Sequence, residues 1–223
     1  MTPEQLREAR AFIRDNLPLT EVPGAGLRLH LAHPRSGLSR LVPPGGTPYW
    51  AHAWPGGMAL AMFIASRPRL LRHRRNQRPQ MLVRDLGAGS GLVALAAARA
   101  GHPAIAIDQD PLALLAAGLN AEANGVRLLT MLPVKDAVGE SDATLMPSVV
   151  TVGDMFYDAE VAAATTARLD ALPHRRALIL VGDIGRRFLP RDRLEPLASY
   201  PVRDVGDPPS APLRDGWVFR WKR

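Results

Sequence analysis

Residues 85–91 read Asp85-Leu86-Gly87-Ala88-Gly89-Ser90-Gly91, or DLGAGSG. A short apolar run, MLVR (81–84), precedes them, and a helix-like run, LVALAAARA (92–100), follows before Gly101. Strand, glycine turn and helix start together form a cradle at the carboxyl end of a sheet, where a ligand can lie directly against backbone. The same glycines also suit a bare tight turn between strand and helix, so their neighbours have to decide the reading.

Two phosphate-binding patterns fail here. The dinucleotide fingerprint needs glycine where Leu92 stands, and the phosphate loop needs a lysine that is absent. Asp108 ends the next apolar run, AIAID (104–108), 21 residues after Gly87. A carboxylate at that strand tip can accept from both hydroxyls of a ribose. Asp85 can hold a loop amide or an ammonium group. A ligand with ribose, adenine and an amino-acid end but no phosphate is S-adenosylmethionine. Gly87, Gly89, Gly91, Asp85 and Asp108 are its expected contacts.

Outward from the cradle, strand and helix patterns alternate. PLALLAAGLNAEAN (111–124) predicts a helix capped by Asp110 and closed by Gly125. A third strand is expected near RLLTML (127–132), where Pro133 blurs the pattern. SVVTV (148–152) and RALILVGD (176–183) predict strands flanking a helix over 158–171, and the last strands fall near 198–204 and 216–221. Upstream, 3–16 reads as a helix with Leu6, Ala9, Phe12 and Ile13 on one face; 26–33 reads as a strand and 57–66 as a helix. Such alternation implies an α/β fold with a mostly parallel sheet and helices on both faces.

The 223 residues carry no cysteine, which excludes disulfides and thiol chemistry, and 47% are apolar, enough to bury a core. The first residues, MTPEQLREARAF, lack the apolar segment of a signal peptide, and no apolar run is long enough for a bilayer, so a cytoplasmic, membrane-free protein is expected. His52, His73, His102 and His174 show no ligand spacing, so no metal site is expected. The net charge of +7 comes largely from arginine, with six arginines between Arg67 and Arg78. That run reads as a solvated connection or as a dock for an acidic protein. With 5% aromatic residues and no basic–aromatic interleaving, nucleic acid is disfavoured as a partner.

Two further segments, PYWAHAWPGGMALA (48–61) and GDMFYD (153–158), join DLGAGSG and AIDQDP (106–111) in a specific pattern. Together they resemble the electron transfer flavoprotein β-subunit lysine methyltransferases, a family of class I, seven-β-strand, S-adenosylmethionine-dependent enzymes. The resemblance covers roughly residues 45–223 by this reading. It implies a Rossmann-like seven-stranded sheet with an antiparallel last strand, formed by residues 48–223, with residues 1–47 as an extension packed on the core. It implies a protein-lysine N-methyltransferase, expected as a monomer. The expected acceptor is a folded protein, either the electron transfer flavoprotein β-subunit or an acidic ribosomal stalk protein. By resemblance Trp54 lies against the cofactor, where its face can attract a sulfonium. Asp154 is expected to orient the acceptor ammonium, and Tyr157 to line its channel; Asp158 reads as a helix cap. Asp136 either meets the adenine amino group or is a solvated loop acid. VGDIGRRFLP (181–190) resembles the family's segment after strand five, except that Ile184 stands where proline is usual; the acid common at the start of strand four is also missing. Two other functions stay open. One is methyl transfer to a small amine or RNA, which would not need GDMFYD. The other is a non-catalytic cofactor-binding protein, which would predict damage at Asp154, Tyr157 or Asp108.

Overall fold

Thr2 starts the first helix, α1 (Pro3–Asn16), through a capping box with Gln5. Ala9 and Ile13 are buried on its inner face, whereas Leu6 stays exposed. The computed structural model describes residues 1–42, 46–67, 81–133, 148–172, 177–208 and 210–222. A hairpin follows, β1 (Leu19–Val22) paired with β2 (Leu27–His30), where the sequence suggested only the second strand. Then come α2 (Pro55–Ser66), β3 (Leu82–Leu86), α3 (Leu92–Arg99), β4 (Ala104–Ile107), α4 (Pro111–Asn124) and β5 (Leu129–Met131). β6 (Ser148–Gly153), α5 (Ala159–Asp170), β7 (Ala177–Asp183), β8 (Leu194–Val202) and β9 (Arg214–Trp221) complete the described α-helices and strands.

The main sheet has seven strands in the order β5-β4-β3-β6-β7-β9-β8. β3 through β7 run parallel, and β9 runs antiparallel to both its neighbours. One face is covered by α2, α3, α4 and the hairpin, whose Leu27 and Leu29 are fully buried. The other face packs α5 against Val150, Val152, Ile179, Val181 and Trp221. The order reverses between β3 and β6, and in open α/β sheets ligands bind in the crevice at that switch point. DLGAGSG runs out of the end of β3 and GDMFYD begins at the end of β6, so both motifs meet there.

α4 ties the N-terminal segment to the glycine turn. The Asn120 side chain, fully buried, accepts from the His30 N–H (2.8 Å) and donates to the Ser90 carbonyl (2.9 Å). Asn124 clasps the backbone of Arg28 from both sides, at 2.9 and 2.6 Å. Arg10 and Arg14 pair with Glu122 at 3.0 and 2.7 Å.

Candidate functional site

Gly87, Gly89 and Gly91 all have left-handed backbone, with φ of 66°, 50° and 81°. Only glycine adopts this region without penalty. Gly91 shows a second reason: a Cβ there would lie 2.8 Å from the Cβ of Ala117 on α4. The turn brings the Gly89 N–H onto Asp108 Oδ2 (2.9 Å), while Asp108 Oδ1 accepts from Asp110 (2.9 Å). Each oxygen keeps lone pairs for a further donor. Burial raises the Asp108 pKa, partly offset by those amides. Asp85 is buried beneath the turn, accepting from Thr151 Oγ (2.8 Å) and the Ala94 N–H (3.2 Å). Desolvation pushes its carboxyl up to about 7.

The glycine turn floors a cleft of about 550 Å³. Trp54, Asp85, Gly87, Gly89, Asp108, Asp154 and Tyr157 all line it, so the fold gathers seven predicted site residues into one place. Gly91 stands just behind, as the first residue before α3. Asp136 and the basic run beyond Arg67 lie outside the described residues. Arg67 itself donates to the Tyr200 hydroxyl (2.7 Å) and lies over the Phe63 ring.

In GDMFYD every residue has a distinct task. Gly153 and Gly182, on neighbouring strands, let the start of α2 press onto the sheet: a Cβ on Gly153 would meet Gly57 Cα at 3.1 Å, and one on Gly56 would strike the Gly182 carbonyl. Asp154 has φ 54°, a left-handed conformation that aspartate tolerates better than most residues. Its Oδ2 accepts from the Gly57 N–H (3.0 Å), serving as the side-chain cap that Trp54 cannot supply to α2. Its Oδ1 accepts from Arg186 Nε and Nη2, both at 3.3 Å. Burial raises the Asp154 carboxyl to about 7, with Arg186 pulling it down and Asp183 pushing it up. Met155 abuts Gly87, and Phe156 is fully buried, stacked 6.5 Å from Trp221. Tyr157 is left at the rim, 40% exposed, and Asp158 caps α5 through the Glu160 and Val161 amides, as read from the sequence.

Aromatic rings line that rim. Tyr49 lies 5.4 Å from Tyr157 and 5.8 Å from Trp54, whose indole donates to the Tyr49 carbonyl (2.7 Å). Sequence reasoning missed Thr151 and Arg186. Thr151 looks like any strand residue, and Arg186 reaches Asp154 across 32 positions without local pattern.

The site fits S-adenosylmethionine in kind. Residues 85–91 carry one negative and no positive charge, which suits an ammonium, sulfonium and hydroxyls rather than phosphate. Among the described residues no group of three or more His, Cys, Asp or Glu is placed to hold a metal ion, and no helix is long and apolar enough to cross a membrane.

Known proteins resemble the chain in sequence and shape. The ribosomal protein L11 methyltransferase (PrmA) family matches residues 69–150. The electron transfer flavoprotein beta subunit lysine methyltransferase of Xenopus laevis is 34% identical, over 96% of this chain and 87% of the relative. The Homo sapiens protein of that name is also 34% identical, over 80% and 67%. A Thermus thermophilus ribosomal protein L11 methyltransferase is 36% identical over 47% of this chain and 40% of its own. In fold, a T. thermophilus 16S rRNA methyltransferase in complex with AdoMet and guanosine superimposes with a TM-score of 0.55, at 18% identity, over 92% of this chain and 49% of that one. The chain therefore belongs to the electron transfer flavoprotein beta subunit lysine methyltransferase family and is an S-adenosylmethionine-dependent methyltransferase.

Proposed function

We propose that this chain methylates a lysine side chain on a folded protein, with the electron transfer flavoprotein β-subunit as first candidate and a ribosomal protein of the L11 kind as second. Family membership supports the first, and the shorter match to L11 methyltransferases supports the second. The observation that carries the reading is the buried Asp154 carboxylate set beside the Trp54–Tyr49–Tyr157 rim of the cofactor cleft. One anion among aromatic faces is a seat for a slim cationic side chain.

The cofactor, when bound, supplies an electrophilic methyl on a sulfonium. Asp108 would hold the ribose hydroxyls and Asp85 the ammonium end, with the glycine turn open to backbone contact. Trp54 offers its face to positive charge. A lysine of pKa about 10.4 must lose a proton before attack, which costs about 4 kcal/mol near pH 7.4. Asp154 holds the arriving ammonium in line, and the proton on Nζ leaves to solvent. Tyr49 and Tyr157 cover the methylene stem. With acceptor and donor aligned, the enzyme's contribution is chiefly orientation.

The test is Asp154→Asn, which keeps shape and removes charge. S-adenosylhomocysteine affinity should stay within about twofold while transfer to purified electron transfer flavoprotein β-subunit falls at least about a hundredfold. Transfer at the parental rate by a folded variant would leave Asp154 as a cap for α2 and nothing more.

A further inference from the structure

β7 ends at Asp183, a fully buried acid whose Oδ1 accepts from the Gly185 and Arg186 N–H groups, both at 2.7 Å. That turn sends the Arg186 side chain back into the cleft, where it is 19% exposed. Its guanidinium meets three groups at once. It lies 3.3 Å from Asp154 Oδ1, 3.4 Å from Asp204 Oδ1, and 5.6 Å from the Trp54 ring centre. Charge-assisted contacts usually close to about 2.7–2.9 Å. Here neither does, so the guanidinium straddles two carboxylates and is seated fully on neither.

Asp154 has only one oxygen to offer the cleft. Oδ2 is turned to the Gly57 amide at the start of α2, and Oδ1 accepts from Nε and Nη2 of Arg186. A carboxylate with an aromatic face alongside is also what an acceptor ammonium requires. The two cations compete for one seat.

We propose that Arg186 is an internal stand-in for the acceptor lysine, occupying the Asp154–Trp54 seat in the free enzyme and moving onto Asp204 when the acceptor enters. The proposal rests on the reading of Asp154 as the acceptor-side anion. It makes Arg186 a positioning residue with two effects. In the free enzyme its charge balances the buried Asp154 carboxylate. After displacement it remains next to the seat on Asp204, and a neighbouring cation makes an ammonium give up its proton more readily. Arg186 thus supplies the push toward the neutral amine that Asp154, as an anion, opposes.

The sharpest test needs no external acceptor. In Arg186→Lys the introduced amine should take the same seat and become the acceptor: a C–N bond forms at its Nζ, the sulfonium C–S bond breaks, S-adenosylhomocysteine leaves, and the amine proton passes to water. The full-length variant, incubated with S-adenosylmethionine, should gain methyl mass that peptide mapping places at position 186. The gain should vanish in Arg186→Lys/Asp154→Asn. No methyl at position 186, in a variant that still binds S-adenosylhomocysteine in calorimetry, overturns the proposal. A kinetic arm stands beside it. At pH 8.5, Asp204→Asn removes the resting place and should raise KM for the β-subunit roughly threefold or more, with unchanged S-adenosylhomocysteine affinity. Arg186→Met should lower KM, and Arg186→Met/Asp204→Asn should match Arg186→Met alone, because a resting place matters only to a guanidinium. Additive effects, or a loss of kcat without change in KM, would mark Arg186 as a fixed clamp. Loss of transfer in Asp154→Asn together with additivity sinks this proposal alone. Retained transfer in Asp154→Asn sinks the reading beneath it.

Discussion

Gly91→Ala probes the cradle where its geometry is tightest. The residue sits at φ 81°, ψ 8°, and forcing an alanine there costs about 1–2 kcal/mol. The new Cβ would lie 2.8 Å from Ala117 Cβ and 3.2 Å from its Cα. Carbon pairs prefer about 3.5–4.0 Å, and overpacking a buried helix typically costs about 1–3 kcal/mol. The expected loss is therefore about 2–5 kcal/mol, a large share of the roughly 5–15 kcal/mol that holds a domain folded. Ala117→Gly alone should cost about 1 kcal/mol in helix propensity and about 0.8 kcal/mol for the lost methyl. The double variant removes the colliding carbon but keeps the backbone strain, so it should be about 1–2 kcal/mol more stable than the sum of the singles predicts. Urea unfolding of all four proteins measures that coupling, and calorimetry with S-adenosylhomocysteine should show weakened binding in Gly91→Ala, recovered in part in the double. Additivity within about 0.5 kcal/mol would refute the claim that Gly91 is small because α4 lies against it.

Other outcomes follow from the same geometry. Asp108→Asn should weaken S-adenosylhomocysteine binding by about 1.5–3 kcal/mol, read by calorimetry, since a charged acceptor becomes a neutral one. Phe156→Ala should cost about 3–5 kcal/mol of stability, whereas Asp158→Ala should cost only about 1 kcal/mol through the lost α5 cap and leave methyl transfer unchanged. Asp85 and Asp154 have folded pKa values raised from 3.8 to about 7. The native state then holds protons the unfolded chain has lost, so stability should fall as pH rises from about 4 to about 7. Denaturant titrations across that window should show the decline, and Asp85→Asn should reduce it, leaving the share due to Asp154.

The central alternation of strands and helices was legible because apolar periodicity and glycine or proline punctuation agree from residue 81 onward. The hairpin was half seen: β1 follows Pro18 and buries only its last residue fully, so it shows no two-residue alternation. β8 starts four residues before the reading placed it, because Pro196 and Pro201 look like breakers. They are tolerated since β8 is an edge strand with an irregularity between Pro196 and Ala198. Within the cleft, the glycines and Asp108 announce themselves through local spacing. Arg186 and the crossing of Gly56 and Gly57 over Gly153 and Gly182 do not, because each joins residues far apart in sequence whose meeting is set by the sheet order.

The ties from α4 to the N-terminal segment also set a timetable for synthesis. His30 and Arg28 find their asparagines 90 and 96 positions later, and Arg14 and Arg10 find Glu122 after 108 and 112. At about 5–20 residues per second, the ribosome leaves Ile13, Leu17, Leu27 and Leu29 without their partner helix for roughly 5–20 s. Until α4 is made, these apolar side chains lack the helix that buries them. Asn120 carries both the His30 amide and the Ser90 carbonyl, so the docking that ends the wait also sets the glycine turn. One buried asparagine thus couples burial of the hairpin to the shape of the glycine turn.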